Sequence, residues 1–345
     1  MTKEEKIKFL NLQTIYQSEA FLAEIMQKKE FVSLIPTQLF KYKEFNEYTK
    51  DMIEKNYIYL TSASNLDDPF DCLTDIKIDE LYDKDKSILL PDFIEYIVDI
   101  IIKHQRYDKF AKEKLTNLIN KSMVNEKIDS EKLLIALSED ETLSEQDRNL
   151  LYQTIINIEN IMKTLLNTSG LKNLMTRLVE SKEKIGVCSL TTKNDNKPMW
   201  SHYADVYRGC CIEYDIPLTT NVINNLYPVI YTNDTENNVV KVVLEYVLEI
   251  VIRMVTNGTV PTNIGCIMNA ICTKDIAWEY QDEWRVIGNP KVKTSIIKIK
   301  NIYLGYNVSK ENKDFVINQA IKNNYGVYKM NELNGKKTIT YKKII

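Results

Sequence analysis

The sequence predicts an α+β protein, and three observations carry that prediction. Short alternating runs bounded by turn residues occupy positions 39–45 and 57–62, and such runs return from Gly186 to the end. Between them, residues 81–183 lose the alternation and repeat their apolar residues at helical spacing. Helices and strands are therefore segregated along the chain instead of alternating as βαβ units. Three parts result: an N-terminal helix over 1–30, an α+β core domain made of 31–80 and 184–345, and an all-helical insertion over 81–183.

Taken in order, 3–29 has an apolar side made of Ile7, Leu10, Ile15, Phe21, Ile25 and Met26, and Pro36 ends what precedes it. A strand over 39–45, a helix over 48–55 and a strand over 57–62 follow. The loop S-N-L-D-D-P-F-D, 64–71, then leaves the strand end. In the insertion, apolar residues recur as Phe93, Ile94, Ile97, Val98, Ile101, then Phe110, Leu115, Leu118, Ile119, then Leu151, Ile155, Ile158, Met162. Ser144 with Asp147 three residues on reads as the cap of the last of these helices. Strands resume at 186–190 and 209–214, with a short helix opening after Pro198 between them. Position 226–231 is another strand, and 239–255 and 262–272 are helices. Beyond 287 come a strand at 295–304, a helix at 310–324 and closing strands at 327–330 and 338–342.

A chain of 345 residues with net charge -3 and pI near 5.7 has no global basic field, so nucleic acid is not favoured as a partner. The lysine clusters at 291–300 and 336–343 read as solvated strand edges. The opening M-T-K-E-E-K-I-K lacks the apolar core of a signal peptide, and the apolar run 93–102 is broken by Glu95 and Asp99. A cytoplasmic protein without a membrane partner is expected. The abundance of Asn, Ile and Lys with few Gly fits an AT-rich bacterial genome. Six cysteines, at 72, 188, 210, 211, 266 and 272, form no C-x-x-C pair and have only His104 and His202 for company, so no metal site is expected and buried, reduced thiols are.

No dinucleotide, nucleoside-triphosphate or esterase glycine motif is present. Asp67, Asp68, Asp71, Glu283 and His202 leave a metal-dependent nuclease as a minor alternative. The chemistry concentrates instead at W-E-Y-Q-D-E-W-R-V-I, 278–287. Alternation there puts Gln281, Glu283 and Arg285 on one face and Asp282, Trp284 and Val286 on the other. Trp284 and Val286 suit a core, which turns an amide, a carboxylate and a guanidinium toward a cleft suited to a sugar-like ligand. His202 sits among Trp200 and Tyr203, rings suited to stacking.

Four blocks, F-K-Y-K-E-F at 40–45, N-L-D-D-P-F-D at 65–71, M-W-S-H-Y-A-D at 199–205 and W-E-Y-Q-D-E-W-R at 278–285, with the strand G-C-C-I-E-Y at 209–214, resemble a bacterial domain-of-unknown-function family, number 2971. The chain departs from that family's F-N-D-P at Leu66-Asp67-Asp68-Pro69, and has Tyr207 where His is common. The layout is in turn similar to ADP-ribosyltransferases, which implies a mainly antiparallel split sheet and NAD as substrate. That resemblance implies Glu283 on the ribose 2′-hydroxyl of an oxocarbenium-like ribosyl cation, with Gln281 orienting the acceptor and His202 as a further catalytic candidate. It also implies Tyr42 and Trp200 stacking on nicotinamide or adenine, Lys41 at the pyrophosphate and Ser62 with Thr61 at the nicotinamide ribose. Tyr203 and Arg285 complete the expected cofactor site.

The leading expectation is an NAD-using ADP-ribosyltransferase or NAD glycohydrolase, a toxin or phage-defence effector, whose acceptor macromolecule the sequence does not name. The alternative is a non-catalytic nucleotide-sensing or interaction module in which the helical insertion mediates assembly, a homo-oligomer included.

Overall fold

A computed structural model describes residues 2, 4–7, 9–10, 33–66, 68, 71–72, 98, 112–124, 127–165, 176, 180, 182–233, 268, 271–331 and 338–345. The expected helices at 239–255 and 262–272, most of that at 3–29, and the apolar repeats at 93–110 lie wholly or largely outside these residues. The chain divides into two units, one of 1–74, 180–235 and 268–345, the other of 75–179 and 236–267. The sequence pattern predicts 236–267 within the α+β core.

The first unit is α+β, as expected, around a mixed, mostly antiparallel sheet of ten strands among the described residues. These are β1 (Gln38–Lys43), β2 (Ile58–Ser62), β5 (Gly186–Thr191), β6 (Cys210–Asp215), β7 (Leu226–Pro228), β10 (Glu283–Gly288), β11 (Val292–Thr294), β12 (Lys298–Leu304), β13 (Gly326–Met330) and β14 (Tyr341–Lys343). Their order is β11-β2-β5-β1-β6-β12-β13-β14, with β10 and then β7 branching from β5. Strand β10 takes all six residues of one edge of β5, from Glu283 opposite Thr191 to Gly288 opposite Gly186. The other edge is shared: β2 pairs at Gly186 and Val187, and β1 pairs only at Thr191. The sheet is therefore split along the middle of β5. At the split the Ser189 carbonyl accepts from the Lys41 ammonium at 2.7 Å, a side chain standing in for a strand.

Alternation gives the sheet two unlike faces. Leu39, Ile58, Leu60, Cys188, Leu190, Ile212, Tyr214, Trp284, Val286 and Ile302 point to one side and form the main core. Helix α1 (Glu47–Lys55) supplies Met52 and Ile53 to the same core. Asn46 caps α1 by accepting from Thr49 N–H, and Asn56 ends it in the left-handed conformation at φ 53°. A later helix over Lys310–Asn323 has the same design, with Ser309 capping, Asn324 at φ 61° closing and Val316 and Ala320 buried. The Tyr325 hydroxyl joins the two helices by donating to Ile53 C=O. At the N terminus, residues 4–7 and 9–10 are helical; Phe9 meets the Trp284 ring edge-on and Leu10 is buried, while Ile7 is exposed.

The single strand expected at 226–231 is two. Val229 N–H still donates to Glu283 C=O at 2.9 Å; beyond it the chain leaves β10, and β8 (Ile230–Thr232) pairs in parallel with β9 (Thr273–Asp275). The opposite face of the sheet carries a smaller aromatic cluster around Phe40, Tyr42, Trp200 and Cys211. Just beyond helix α2 of the same region (Lys197–His202), Asp205, Val206 and Tyr207 all have positive φ, at 46°, 48° and 64°. The turn is held by the Asp205–Arg208 ion pair and by Asn307 N–H donating to Tyr207 C=O.

In the second unit, helices over Lys112–Ser122, Ser130–Ser138 and Glu145–Leu165 bury Leu115, Ile119, Leu133, Leu137, Leu151 and Ile155. Ser144 caps the last as expected, accepting from Asp147 N–H at 3.1 Å. Two paired strands, β3 (Met123–Val124) and β4 (Lys127–Ile128), correct the expectation that this region holds no strand. Strands of two residues are too short to leave an alternating pattern. Among the described residues, no helix is long and apolar enough to cross a membrane.

A Cβ at Gly305 would lie 2.0 Å from the Tyr207 carbonyl oxygen, part of a backbone already held by hydrogen bonds. We expect Gly305→Ala to lose about 1–3 kcal/mol, the usual cost of overpacking, measured by urea unfolding.

Candidate functional site

The polar face of the split sheet opens on a cavity of about 980 Å³, within the range of small-molecule sites. Its lining includes Met52 and Leu190 from the apolar face as well as Phe40, Tyr42 and Glu283 from the polar one, so it reaches through the gap between β1 and β2. Trp278 and Tyr203 stand at its wall.

Its floor is a buried ion cluster. Arg285, with no exposed surface, grips Asp71 with Nη2 at 2.7 and 2.8 Å and gives Nε to Glu283 Oε1 at 2.8 Å. Its Nη1 donates to Cys72 Sγ and to the Ile271 carbonyl. Lys274 Nζ bridges Glu283 Oε2 at 3.2 Å and Asp71 Oδ2 at 3.0 Å. Two acids and two bases thus balance, all four of them buried side chains. Burial pushes the Glu283 carboxyl up, but the Arg285 and Lys274 charges outweigh it and hold the group down at about 2. Burial likewise works against the Lys274 ammonium, and Glu283 and Asp71 more than compensate, raising it above the ordinary lysine value.

Gln281 joins the cluster by a different route from the one expected. Residues Ile276–Gln281 form a 3₁₀ helix, and Asp282 turns the chain in the left-handed conformation before β10 begins at Glu283. Gln281 Oε1 accepts from Lys274 at 3.1 Å and its Nε2 donates to the Tyr203 hydroxyl at 2.9 Å. The Glu283 backbone N–H is held by the Tyr231 hydroxyl at 2.8 Å.

Of the expected residues, Glu283, Gln281, Lys41, Tyr42, Thr61 and Tyr203 line the cavity. Arg285 lies behind Glu283. Trp200 is completely buried, its Nε1 donating to Asn194 C=O at 2.8 Å and its ring edge-on to Tyr42, so its packing is that of a core residue and it offers no stacking surface. Only part of Tyr42 reaches the cavity, because its hydroxyl donates to Lys193 C=O. Ser62 turns away, its hydroxyl directed to Ser64 and to the carbonyls of Lys182 and Glu183. His202 is exposed beside Tyr203 and is outside the lining. Among the described residues no group of three His, Cys, Asp or Glu side chains is placed to hold a metal ion; Asp67 is outside them. Cys72, Cys188, Cys210, Cys211 and Cys272 are buried free thiols, and burial, offset in part by Arg285, pushes Cys72 up to about 12. Lys274, central to the cluster, carries no signal in the sequence: its three-residue strand T-K-D has no length in which periodicity could show.

Part of this site falls within a segment that matches a known family. Residues 199–286 match the family described as a protein of unknown function, DUF2971. The DUF2971 segment holds Tyr203, Lys274, Gln281, Glu283 and Arg285, while β1, β2 and Asp71 precede it. No curated protein and no solved structure matches the chain.

Two expectations follow from the cluster. Asp71→Asn removes a buried negative charge from between two cations, and should cost about 3–5 kcal/mol in chemical denaturation. Because the folded Glu283 carboxyl is depressed, its contribution is complete above the ordinary carboxylate range and is lost as pH falls toward about 2. Urea unfolding between pH 5 and 2 should show a steeper loss for the wild type than for Glu283→Gln, which has no carboxyl to protonate there.

Proposed function

We propose that the chain is an NAD-using ADP-ribosyltransferase or NAD glycohydrolase whose central carboxylate is Glu283. The observation that carries the reading is a buried carboxylate, kept ionised by two cations, on the floor of a cavity in a split, mostly antiparallel sheet. Each carboxylate oxygen has lone-pair capacity beyond the one cation it meets, about four sites in all. One is enough to accept from a ribose 2′-hydroxyl. As the bond from ribose C1′ to the nicotinamide nitrogen breaks, positive charge spreads over C1′ and the ring oxygen, and a fixed anion beneath them lowers the barrier. The bonding pair leaves with nicotinamide. Water or an acceptor nucleophile then adds to C1′ and gives up its proton to solvent.

The remaining roles shift from those expected on the sequence. Thr61 takes the ribose-hydroxyl position in place of Ser62, Tyr203 and Trp278 offer rings in place of Trp200, and Lys41 meets the pyrophosphate. Gln281, at the Tyr203 side of Glu283, orients the nucleophile. A second reading, a nucleotide-sensing module without turnover, draws on the fact that both Glu283 oxygens already have cationic partners.

Incubation with NAD separates the two. Release of nicotinamide by the wild type, reduced about 10²–10³-fold in Glu283→Gln, supports the transferase reading, measured by chromatography of the free base. A thermal shift with NAD and no nicotinamide supports the sensor. Equal turnover in wild type and variant would reject the role of Glu283.

A further inference from the structure

We propose that the Tyr203 hydroxyl is the ligand-facing hydrogen-bond donor of this cavity, and that Lys274 is the positioning residue that sets its polarity through Gln281. The argument is one of donor counting. An ammonium has three protons and no lone pair. Lys274 Nζ meets three acceptors, Asp71 Oδ2 at 3.0 Å, Gln281 Oε1 at 3.1 Å and Glu283 Oε2 at 3.2 Å. The Gln281 atom facing Lys274 must therefore be the carbonyl oxygen, which fixes the amide. Its NH₂ then faces Tyr203, 2.9 Å away, and can only donate. The Tyr203 oxygen is an acceptor in that contact, so its own proton is turned elsewhere. Among the described residues it meets no acceptor, and the side chain lines the cavity.

The cavity is thus supplied with a donor whose direction is inherited from a buried charge one residue behind it. The group it selects on a ligand is an acceptor oxygen: a carboxamide carbonyl, a phosphate oxygen or a ribose oxygen. Taking the ligand to be NAD rests on the function proposed above, whereas the polarity of the hydroxyl does not.

Two variants remove the proton in different ways. Tyr203→Phe deletes it. Gln281→Glu keeps the size of the side chain but makes it an acceptor at both ends, so the Tyr203 hydroxyl turns to donate to the introduced carboxylate. Calorimetric titration with NAD is expected to show both variants weakened by a similar factor, about 3- to 10-fold, with folding checked by thermal melting. Gln281→Glu also brings a charge into the cavity, so the double variant Tyr203→Phe/Gln281→Glu is titrated beside the two: a residue that merely packs leaves the two losses additive, whereas a shared hydroxyl makes them overlap. Neutron diffraction from deuterium-exchanged crystals of the wild type reads the polarity directly. The expected map has the Tyr203 deuteron in the cavity and a Gln281 Nε2 deuteron on the tyrosine oxygen. A Tyr203 deuteron on the Gln281 side, or unchanged NAD affinity in both variants, overturns the proposal. A wild type that binds no NAD rejects the nucleotide reading, and the neutron map still decides the polarity.

Discussion

Everything around the cavity depends on the four charges of Asp71, Arg285, Glu283 and Lys274 satisfying one another. Each buried ion costs several kcal/mol in lost hydration, so no one of them is tolerable alone. Together they are tolerable because every charge has at least two partners at hydrogen-bond distance. The residues come from three places in the chain: the loop after β2, the short strand β9 and the long strand β10. Closing the cluster therefore closes the first unit over its polar face, much as the apolar side chains close it over the other.

That division of labour explains why a sheet with one greasy and one polar face can be covered on both sides. The apolar face is sealed by α1 and the Lys310–Asn323 helix, each with an asparagine or serine cap and an asparagine in the left-handed closing position. The polar face is sealed by directional bonds: Tyr42 and Trp200 tie down the backbone at 193 and 194, and Gln281 and Tyr203 extend the ion cluster to the wall. At the split, Lys41 meets the Ser189 carbonyl that no strand reaches.

Much of this frame can be read in the sequence where the signal is local. Alternation places Glu283 and Arg285 opposite Trp284 and Val286, and Ser144 marks a helix start, because period and capping act over a few residues. The cluster is a different matter. Asp71 lies 214 residues from Arg285, and nothing near either predicts the other. Lys274 sits in a strand of three residues, and its partners Gln281 and Glu283 become its neighbours only because a 3₁₀ turn and a left-handed Asp282 fold the chain back. The aromatic residues near 200 misled for a physical reason. Rings that stack on a base and rings that fill a core have the same composition, and only burial tells Trp200 from Tyr203.

An ion cluster whose charges sum to nothing casts little field beyond its own walls. The four buried charges thus contribute little to bringing a charged ligand to this floor, and any long-range attraction is left to the other charges of the lining, Lys41, Lys43, Lys293 and Asp68. Recognition by the cluster itself is confined to the last few ångströms, and its share in the rate of capture is small and nearly independent of screening by salt.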